Sequence, residues 1–486
     1  MSLFSILDST ANTLAAFQQA LNVSQNNVSN ASTPGYAAQQ VSFQALPFDG
    51  AGGLTGGVSA AEIESTRNEF AEQNVRAQNS QLGTAEQQVQ SLTNLQSNFD
   101  VSGATGIPAA LNTLSSAFSS WSVSPNDSSA RQNVIQSAQD VASAFQETAA
   151  NVSAAAASNG TQLKSLVDQV NGYATEIAAD NQKIQAGGTN DPALSADLNS
   201  ILESLSEVAN VTTLNQPDGT VTVLLGGQTT LVAGSQQFNI TANISVPSTP
   251  TPTYPSAPPN GQILDSQGRD VTATVTGGQL SGVLTVLNQT LPAIEGDATH
   301  LGSLNQLAEA FADSVNGILT AGQVTDGPPV QNGGPLFSYD ASNATNAATS
   351  LTLDPTATAA GLAAIAPANA AVTPATSEVS NGTALTLAGL ADATNQIDGQ
   401  SYTQYFGSIA ANVGSTLSAA TTTQTLQTSL VAQARSLRDQ SSAVDLNKEA
   451  VNVVELQTAY QAATKMVSVV DALSQDILTW IGPGVG

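Results

Sequence analysis

Cysteine is absent and histidine occurs once, as His300. Zinc sites built from Cys and His need three or four such ligands, so they are excluded, and so are disulfides. A secreted protein folded in an oxidising compartment normally carries disulfides. The chain is therefore expected to be cytosolic, or exported by a route that needs none. Charge is also scarce: 10% of residues are Asp, Glu, Lys or Arg, against about 25% in ordinary soluble proteins. The polar surface must then be mostly Ser, Thr, Asn and Gln. What charge there is leans acidic, with 10 Lys and Arg against 37 Asp and Glu and a net charge of −27. Such a chain repels phosphate backbones and anionic lipid, so neither nucleic acid nor membrane is expected as a partner. No basic residue precedes Arg67. The apolar start MSLFSILDST thus lacks the positive region of a cleaved secretory signal. No apolar run approaches the ~18 residues of a membrane span.

Catalytic and ligand-binding motifs are missing as well. GAGGLTGGV has no G-x-G-x-x-G leading into a helix, and reads as a flexible loop instead of a phosphate cradle. His300 falls in a helical pattern near Glu295 and Asp297, where a solitary surface histidine is a better reading than a catalytic one. No enzyme, metal or cofactor is expected. Few charges and a sequence pI near 4.1 would suit an acidic exterior, where carboxylates partly neutralise.

What the sequence does contain is helical periodicity at both ends. Phe4, Leu7, Ala11, Leu14, Leu21 and Val28 follow steps of three and four, a heptad-like stripe completed by Gln18 and Gln25. The segment NNVSNASTPGY ends it. Asn30 tolerates a helix end, Thr33 opens a turn, Pro34 fixes φ, Gly35 accepts the positive φ of a type II turn, and Tyr36 follows. At the other end Val453, Leu456, Tyr460, Ala463, Val467, Val470, Ser474, Ile477 and Ile481 form a second stripe over four heptads. A single helix is marginal in water, so the first is expected to pack on the last, and each also on neighbouring copies. Periodicity alone does not separate an ordinary intramolecular pair from an assembly seam.

Between the ends, helical patterns run from Arg67 to Phe99, from Leu111 to Trp121, and from a capped start at Asp127 or Ser128 to about Gln185, with Gly160 expected to break the last. Leu198 to Val208 makes another. At Val211 the grammar changes. VTTLNQPDGTVTVLLGGQTTLVAG reads as three strands joined at Asp218-Gly219 and Gly226-Gly227, and FNITANISV alternates with period two. A Pro-rich stretch, 247–260, cannot pair in a sheet centre. Helix is expected to resume over Leu291 to Thr320 and from about Ala384 onward, with 321–380 turn-rich.

The two ends resemble those of the bacterial flagellar axial family, the rod, hook and hook-associated subunits. The resemblance lies in the striped first helix with its NVSNASTPGY box, where Ser32 replaces the usual Asn, and in VDLNKEAVNVVELQTAYQAATKMVSVVDALSQDIL at 444–478. Interior segments TRNEFAEQNVRAQNSQLG, VTVLLGGQTTLVAG and LAEAFADSVNGI resemble the members that join hook to filament. Asn447-Lys448-Glu449 departs from the family's acidic pair.

The resemblance implies an α+β, multidomain subunit. Long terminal α-helices form a coiled-coil-like pair, beside a helical-bundle domain and an inserted β-rich outer domain. The expected divisions are 1–65 with 440–486 for the terminal helical assembly domain, 66–209, 286–320 and 381–439 for the bundle, and 210–285 and 321–380 for the β-rich part. It also implies self-association in a ring, contact with hook protein on one side and with a second junction protein or filament subunit on the other, and an export chaperone covering the C-terminal helix. Export by the flagellar type III route without a cleaved signal, to an extracellular place in the flagellum, is part of the same implication. A hook or distal-rod subunit, or an unrelated extracellular fibre or adhesin, are the alternatives.

Overall fold

A computed structural model describes residues 3–49, 54–99, 104–188, 191–246, 253–254, 257–325, 329–368, 377–390, 393–394 and 396–481. Helix α1 (Leu3–Asn30) opens the chain. It stops at the Asn-rich box, and the expected turn follows. Tyr36 N donates to Thr33 O at 3.2 Å, with Pro34 and Gly35 between them and Gly35 at φ +72°, the geometry of a type II turn. Strands β1 (Gln39–Ala45), β2 (Phe48–Asp49), β3 (Leu54–Thr55) and β4 (Val58–Ser65) then form a ribbon, β1 antiparallel to β4 and β2 to β3. The ribbon lies along α1. Phe17 meets Phe43 edge to face at 6.1 Å, and Val58 N donates to Thr13 Oγ1 at 3.2 Å. The glycine-rich stretch read as a flexible loop is therefore, where described, a turn pressed on α1. Gly57 sits at φ +120°, and a Cβ there would stand 2.5 Å from Ser9 Oγ.

The bundle is built on α2 (Glu69–Gln96), α3 (Gly106–Val123), α4 (Ser128–Lys183) and α5 (Pro192–Val208). Each has a local cause. Asn68, Asp127 and Asp191 accept from the first free amides of α2, α4 and α5, and Pro192 sits where a missing N–H costs nothing. Helix α4 runs 56 residues, about 84 Å at 1.5 Å per residue. Gly160 does not break it. A Cβ at Gly160 would lie 2.7 Å from Ile244 Cδ1, so the glycine lets a strand approach the helix instead of ending it.

At the C-terminal end of α4 sits a four-stranded sheet of β5 (Val211–Asn215), β6 (Val221–Leu225), β7 (Thr229–Ala233) and β8 (Gln236–Gln237), in sequential antiparallel order. A hairpin of β9 (Thr241–Ser245) and β10 (Asn260–Leu264) accompanies it. Its turns fall at the expected glycines, Gly219, Gly226 and Gly227, all at positive φ. The second strand expected from FNITANISV is shorter than its alternation, and the Pro-rich stretch lies largely outside the described residues. Buried Asn181 on α4 ties this sheet down, donating to Val221 O and Gly234 O and accepting from Val221 N.

Helices α6 (Gly278–Thr285), α7 (Leu291–Glu295) and α8 (Ser303–Ala321) return to the bundle. The single helix expected over Leu291 to Thr320 is two, because Gly296 and Gly302 take positive φ and turn the chain between them. His300 is in that turn and not in a helix. Short pairs follow, β11 (Gln323–Thr325) with β12 (Gln331–Asn332) and β13 (Phe337–Ser338) with β14 (Thr352–Leu353), together with α9 (Ala347–Ser350) and α10 (Gly382–Ala388). These lie against the N-terminal half of α4, where Gln146 donates to Leu351 O and Arg131 to the carbonyls of Ala359, Ala360 and Leu362. The segments grouped as one β-rich part, 210–285 and 321–380, thus share no sheet among the described residues and meet opposite halves of α4. Within the first of them, α6 packs on α2.

Helix α11 (Tyr402–Ser442), opened by a Ser401/Gln404 capping box, runs along α2, and α12 (Leu446–Ile481) closes the chain. The core follows these contacts. Leu92, Leu95, Ile107, Leu114, Trp121, Phe145, Leu163, Leu166 and Ile177 are fully buried. Phe311 links Phe145, Phe337 and Tyr402 at ring distances of 6.5, 5.5 and 5.3 Å.

Candidate assembly interface

Helices α1 and α12 pack on each other. Their direction follows from the contacts at one end: Ser24 and Asn27, near the end of α1, reach Glu449, near the start of α12, so the pair is antiparallel. On α12 the expected stripe is the packed one. Ala463 and Val470 are buried, and Val453, Leu456, Tyr460, Val467 and Ser474 are half-buried, while Ile477 is exposed.

On α1 the packed face is rotated from the expected stripe. Thr10, Ala16, Ala20, Leu21, Ser24 and Asn27 are buried, and Leu14 is half-buried. Leu7 and Val28 are 38% and 44% exposed. The side chains of Phe4 and Ile481 lie outside the described residues. The physical reason is a second partner. The ribbon shares α1 with α12: Thr13 and Phe17 meet the ribbon, while Ser24 and Asn27 meet α12, so burial on α1 is not confined to one stripe.

A polar network locks the end of this seam. Ser24 Oγ donates to Glu449 Oε2 in a short contact, and Asn27 Nδ2 donates to Glu449 Oε1 at 3.0 Å and to Gln39 O at 2.8 Å. Asn27 Oδ1 in turn accepts from Tyr36 Oη and Gln39 N, both at 2.9 Å. Every donor and acceptor of the amide is used, which no carboxylate or hydroxyl could do. Burial and the nearby Glu449 raise the Tyr36 hydroxyl above its ordinary value and keep it a donor. The altered acidic pair of the C-terminal box therefore still presents an acid that reaches the first helix. The periodicity argument missed Ser24, Asn27 and Glu449 because it counted apolar positions. The available signal was an Asn and a Glu placed on apolar seams. Of the other turn residues, Asn30 Nδ2 bonds back to Asn26 O and its Oδ1 accepts from Thr33 Oγ1, while Thr33 and Pro34 face solvent.

Behind the seam is a joint to the bundle. Gly35 packs on α5 so closely that a Cβ would lie 2.3 Å from Ala196 O. Its carbonyl accepts from Arg67 Nη2 at 2.6 Å, and Arg67 Nη1 pairs with Glu72 at 2.7 Å. The last residue of α11, Ser442, accepts from Asn68 N through Oγ and from Ala38 N through its carbonyl. Arg438 and Arg435 of α11 both pair with Glu203 of α5, at 2.6 and 2.9 Å. Burial pushes Glu203 up, but the two guanidiniums outweigh it and hold the carboxyl below its ordinary value.

A second apolar face on α12 was not in the expected set. Val451, Val454, Met466, Val469 and Leu473 are exposed, and Trp480 is 94% exposed. They fall on the side turned away from α1 in two groups, Val451 with Val454 and Met466 with Val469, Leu473 and Trp480, separated by Thr458 and Ala462. His300, by contrast, stands exposed in a surface turn, its Nδ1 3.1 Å from Asp297 and 2.8 Å from the neighbouring Thr299 hydroxyl. Among the described residues no group of His, Cys, Asp and Glu is placed to hold a metal ion, and no helix is long and apolar enough to cross a membrane.

Chain ends folded on each other, tied through a polar joint to a helical body and carrying an unburied apolar face, describe an elongated helical subunit whose last helix leaves one apolar side open. The profile of the flagellar hook-associated protein FlgK helical domain matches residues 92–337, about half of the chain, and the chain belongs to that family. Its ends match two profiles shared by other axial proteins: the flagella basal body rod protein at 7–36 and the flagellar basal body rod FlgEFG protein C-terminal region at 438–479. Among relatives, flagellar hook-associated protein 1 of Bacillus subtilis (strain 168) is 24% identical over 99% of both chains. That of Salmonella typhimurium (strain LT2) is 28% identical over 66% of this chain and 58% of its own length. The flagellar hook junction protein FlgK from Burkholderia pseudomallei shares the fold, with a TM-score of 0.61 at 18% identity, covering 76% of this chain and 99% of that one. The chain is thus a structural part of the flagellum at the hook–filament junction. The interior match to the hook-associated family sets it apart from the rod and hook subunits that share its ends.

Proposed function

We propose that the chain works as an adaptor ring. Identical copies associate through the terminal helices, one side of the ring meets hook protein, and the other meets a second junction protein or the filament subunit. The observation that carries this is the two-faced α12. A helix apolar on two sides is covered on both in a stable assembly, and within one chain only the side facing α1 is covered. Leu7 and Val28 of α1 are apolar positions left open in the same way. Ring neighbours, related by a head-to-tail rotation that closes, supply the missing cover. Before assembly an export chaperone takes that place on α12. Export runs through the flagellar type III route.

The test replaces Val454, Met466 and Val469 together by serine. The purified variant is expected to keep the helix content and thermal midpoint of the bundle, while cells carrying it build hooks and shed filament subunits into the medium. Normal filament attachment in such cells would sink the reading.

A further inference from the structure

Between α2 and β5, the edge strand of the four-stranded sheet, lies a cavity of about 330 Å³ lined by Gln73, Arg76, Ser80, Gln81, Asn210 and Thr213, among others. Its size is within the roughly 300–1,000 Å³ of binding pockets. Arg76 is 5% exposed. Its one side-chain hydrogen bond among the described residues is to Thr213 Oγ1, at 3.3 Å. Arg67, Arg269, Arg435 and Arg438 each pair with a carboxylate, and Arg131 is spent on carbonyls. Arg76 has no ion pair among the described residues, although Glu69, Glu72 and Glu203 act on it from farther away. Burial outweighs them and lowers its pKa, the mark of a cation taken from water without full compensation. Ser80 Oγ is buried in the same wall with no hydrogen-bond partner, where buried polar groups are normally satisfied. Phe70, one turn before Gln73 on α2, is 84% exposed, and Leu214 beside Thr213 is also exposed.

We infer that this cavity is a carboxylate-binding site, filled in the assembled state by an Asp or Glu side chain of a neighbouring copy of this chain. A guanidinium takes a carboxylate in a bidentate fork. A second copy is the donor that the ring reading places alongside, and with 37 acids against 10 bases it has carboxylates to offer the one buried guanidinium of this lining. Phe70, one turn before Gln73 on the same face of α2, is an exposed apolar anchor next to the cavity. The occupant rests on the ring reading above, whereas the site itself is a property of the single chain.

The probe is malonate, titrated into the purified full chain at constant ionic strength with chloride as control. A saturable rise in thermal midpoint is expected, with a shift of the Arg76 side-chain signal in an arginine-labelled sample. Arg76→Gln should weaken malonate binding about tenfold or more, and Arg76→Lys less. Loss of fold in Arg76→Gln would leave the labelled wild-type titration as the readout. A signal that does not move with malonate overturns the site. For the occupant, a photoreactive benzoylphenylalanine in place of Phe70 is irradiated in assembled flagella. A covalent dimer of this chain supports the neighbouring copy, while a product with another protein, or none, overturns it. The malonate result is independent of ring formation, so the two readings fail separately.

Discussion

Replacing Glu449 by alanine should part the terminal helices and leave the bundle folded. Glu449 is buried and receives two donors, Ser24 Oγ and Asn27 Nδ2. Hydrogen bonds to a charged group contribute about 1.5–3 kcal/mol each, and their loss strands both donors out of water. The gross effect is about 3–6 kcal/mol, reduced because burying the carboxylate itself was unfavourable, so a net loss of about 2–4 kcal/mol is expected. Against this stands the apolar seam. Among the described residues of α1 and α12 the buried apolar ones are Ala16, Ala20, Leu21, Ala463 and Val470. Of these only Leu21 and Val470 are large, and each contributes about 1.5–3 kcal/mol on burial. Half-buried Leu14, Val453, Leu456, Tyr460 and Val467 add to the seam, so the network is one substantial part of what holds the pair, and its removal loosens the end where α1 meets the start of α12. The cysteine-free chain allows a direct assay. Spin labels on Gln19→Cys and Gln457→Cys, both at exposed positions, report the separation of the helices by electron–electron distance measurement. Glu449→Ala should turn a narrow distribution into a broad one and make α12 sensitive to thermolysin, with Glu449→Gln between the two. An unchanged narrow distribution in Glu449→Ala would refute the claim that this network clamps the pair.

Gly35→Ala should lower stability by at least about 1–2 kcal/mol for a side chain at positive φ, and displace the turn from Ala196. Weakened protection of the α5 amides in hydrogen exchange would check it. Gly83→Ala, whose Cβ would stand 2.1 Å from Glu207 O, should force α2 and α5 apart at about 1–3 kcal/mol, read as a fall in the thermal midpoint. Glu295 is buried with one oxygen unpartnered, and burial raises its pKa from 4.5 to about 7. The folded chain then holds a proton that the unfolded chain releases between those values, so stability falls as pH rises through that window. At 1.36 kcal/mol per pH step the loss is about 3 kcal/mol. Glu295→Gln should melt with wild type near pH 4.5 and well above it at pH 8, and equal midpoints at pH 8 would overturn the assignment.

The helices were legible because their signals are local. Asp127 caps α4 and the stripe of α12 is periodic, so each could be read from neighbouring residues alone. The turn at Pro34-Gly35 was legible for the same reason, since proline and glycine fix its φ angles whatever surrounds them. What stayed hidden depends on distant partners. Gly160 reads as a breaker until Ile244 is seen against it. Leu7 reads as seam until the ribbon is found sharing α1 with α12. The joint of Arg67 with Gly35 and of Arg438 with Glu203 joins residues far apart in sequence, and nothing near either partner announces the other. The second face of α12 was visible in principle. Val451 and Val454, then Met466, Val469 and Leu473, carry three- and four-residue steps on either side of a gap, and a search for one unbroken stripe passes over a helix that has a second face.

The α1–α12 seam also explains why an acid and an amide sit inside it. Threonine, alanine and serine along α1 offer few large knobs, so apolar packing alone would permit several registers of nearly equal energy. Asn27 and Glu449 satisfy each other in one register only, because sliding α12 by a turn leaves the carboxylate buried and unpaired. Polar pairing thus fixes alignment where shape does not, at modest total stability. A pair aligned but weakly held suits a subunit whose ends travel as an unfolded chain and must then take their places among copies. It follows that strengthening the seam should harm function. Thr10→Leu would enlarge the apolar contact while both donors to Glu449, Ser24 and Asn27, stay in place. A purified chain so altered is expected to resist thermolysin at its ends better than wild type, yet to retain fewer filaments on the cell. Equal or improved filament retention would show that the weakness of the pair has no part in assembly.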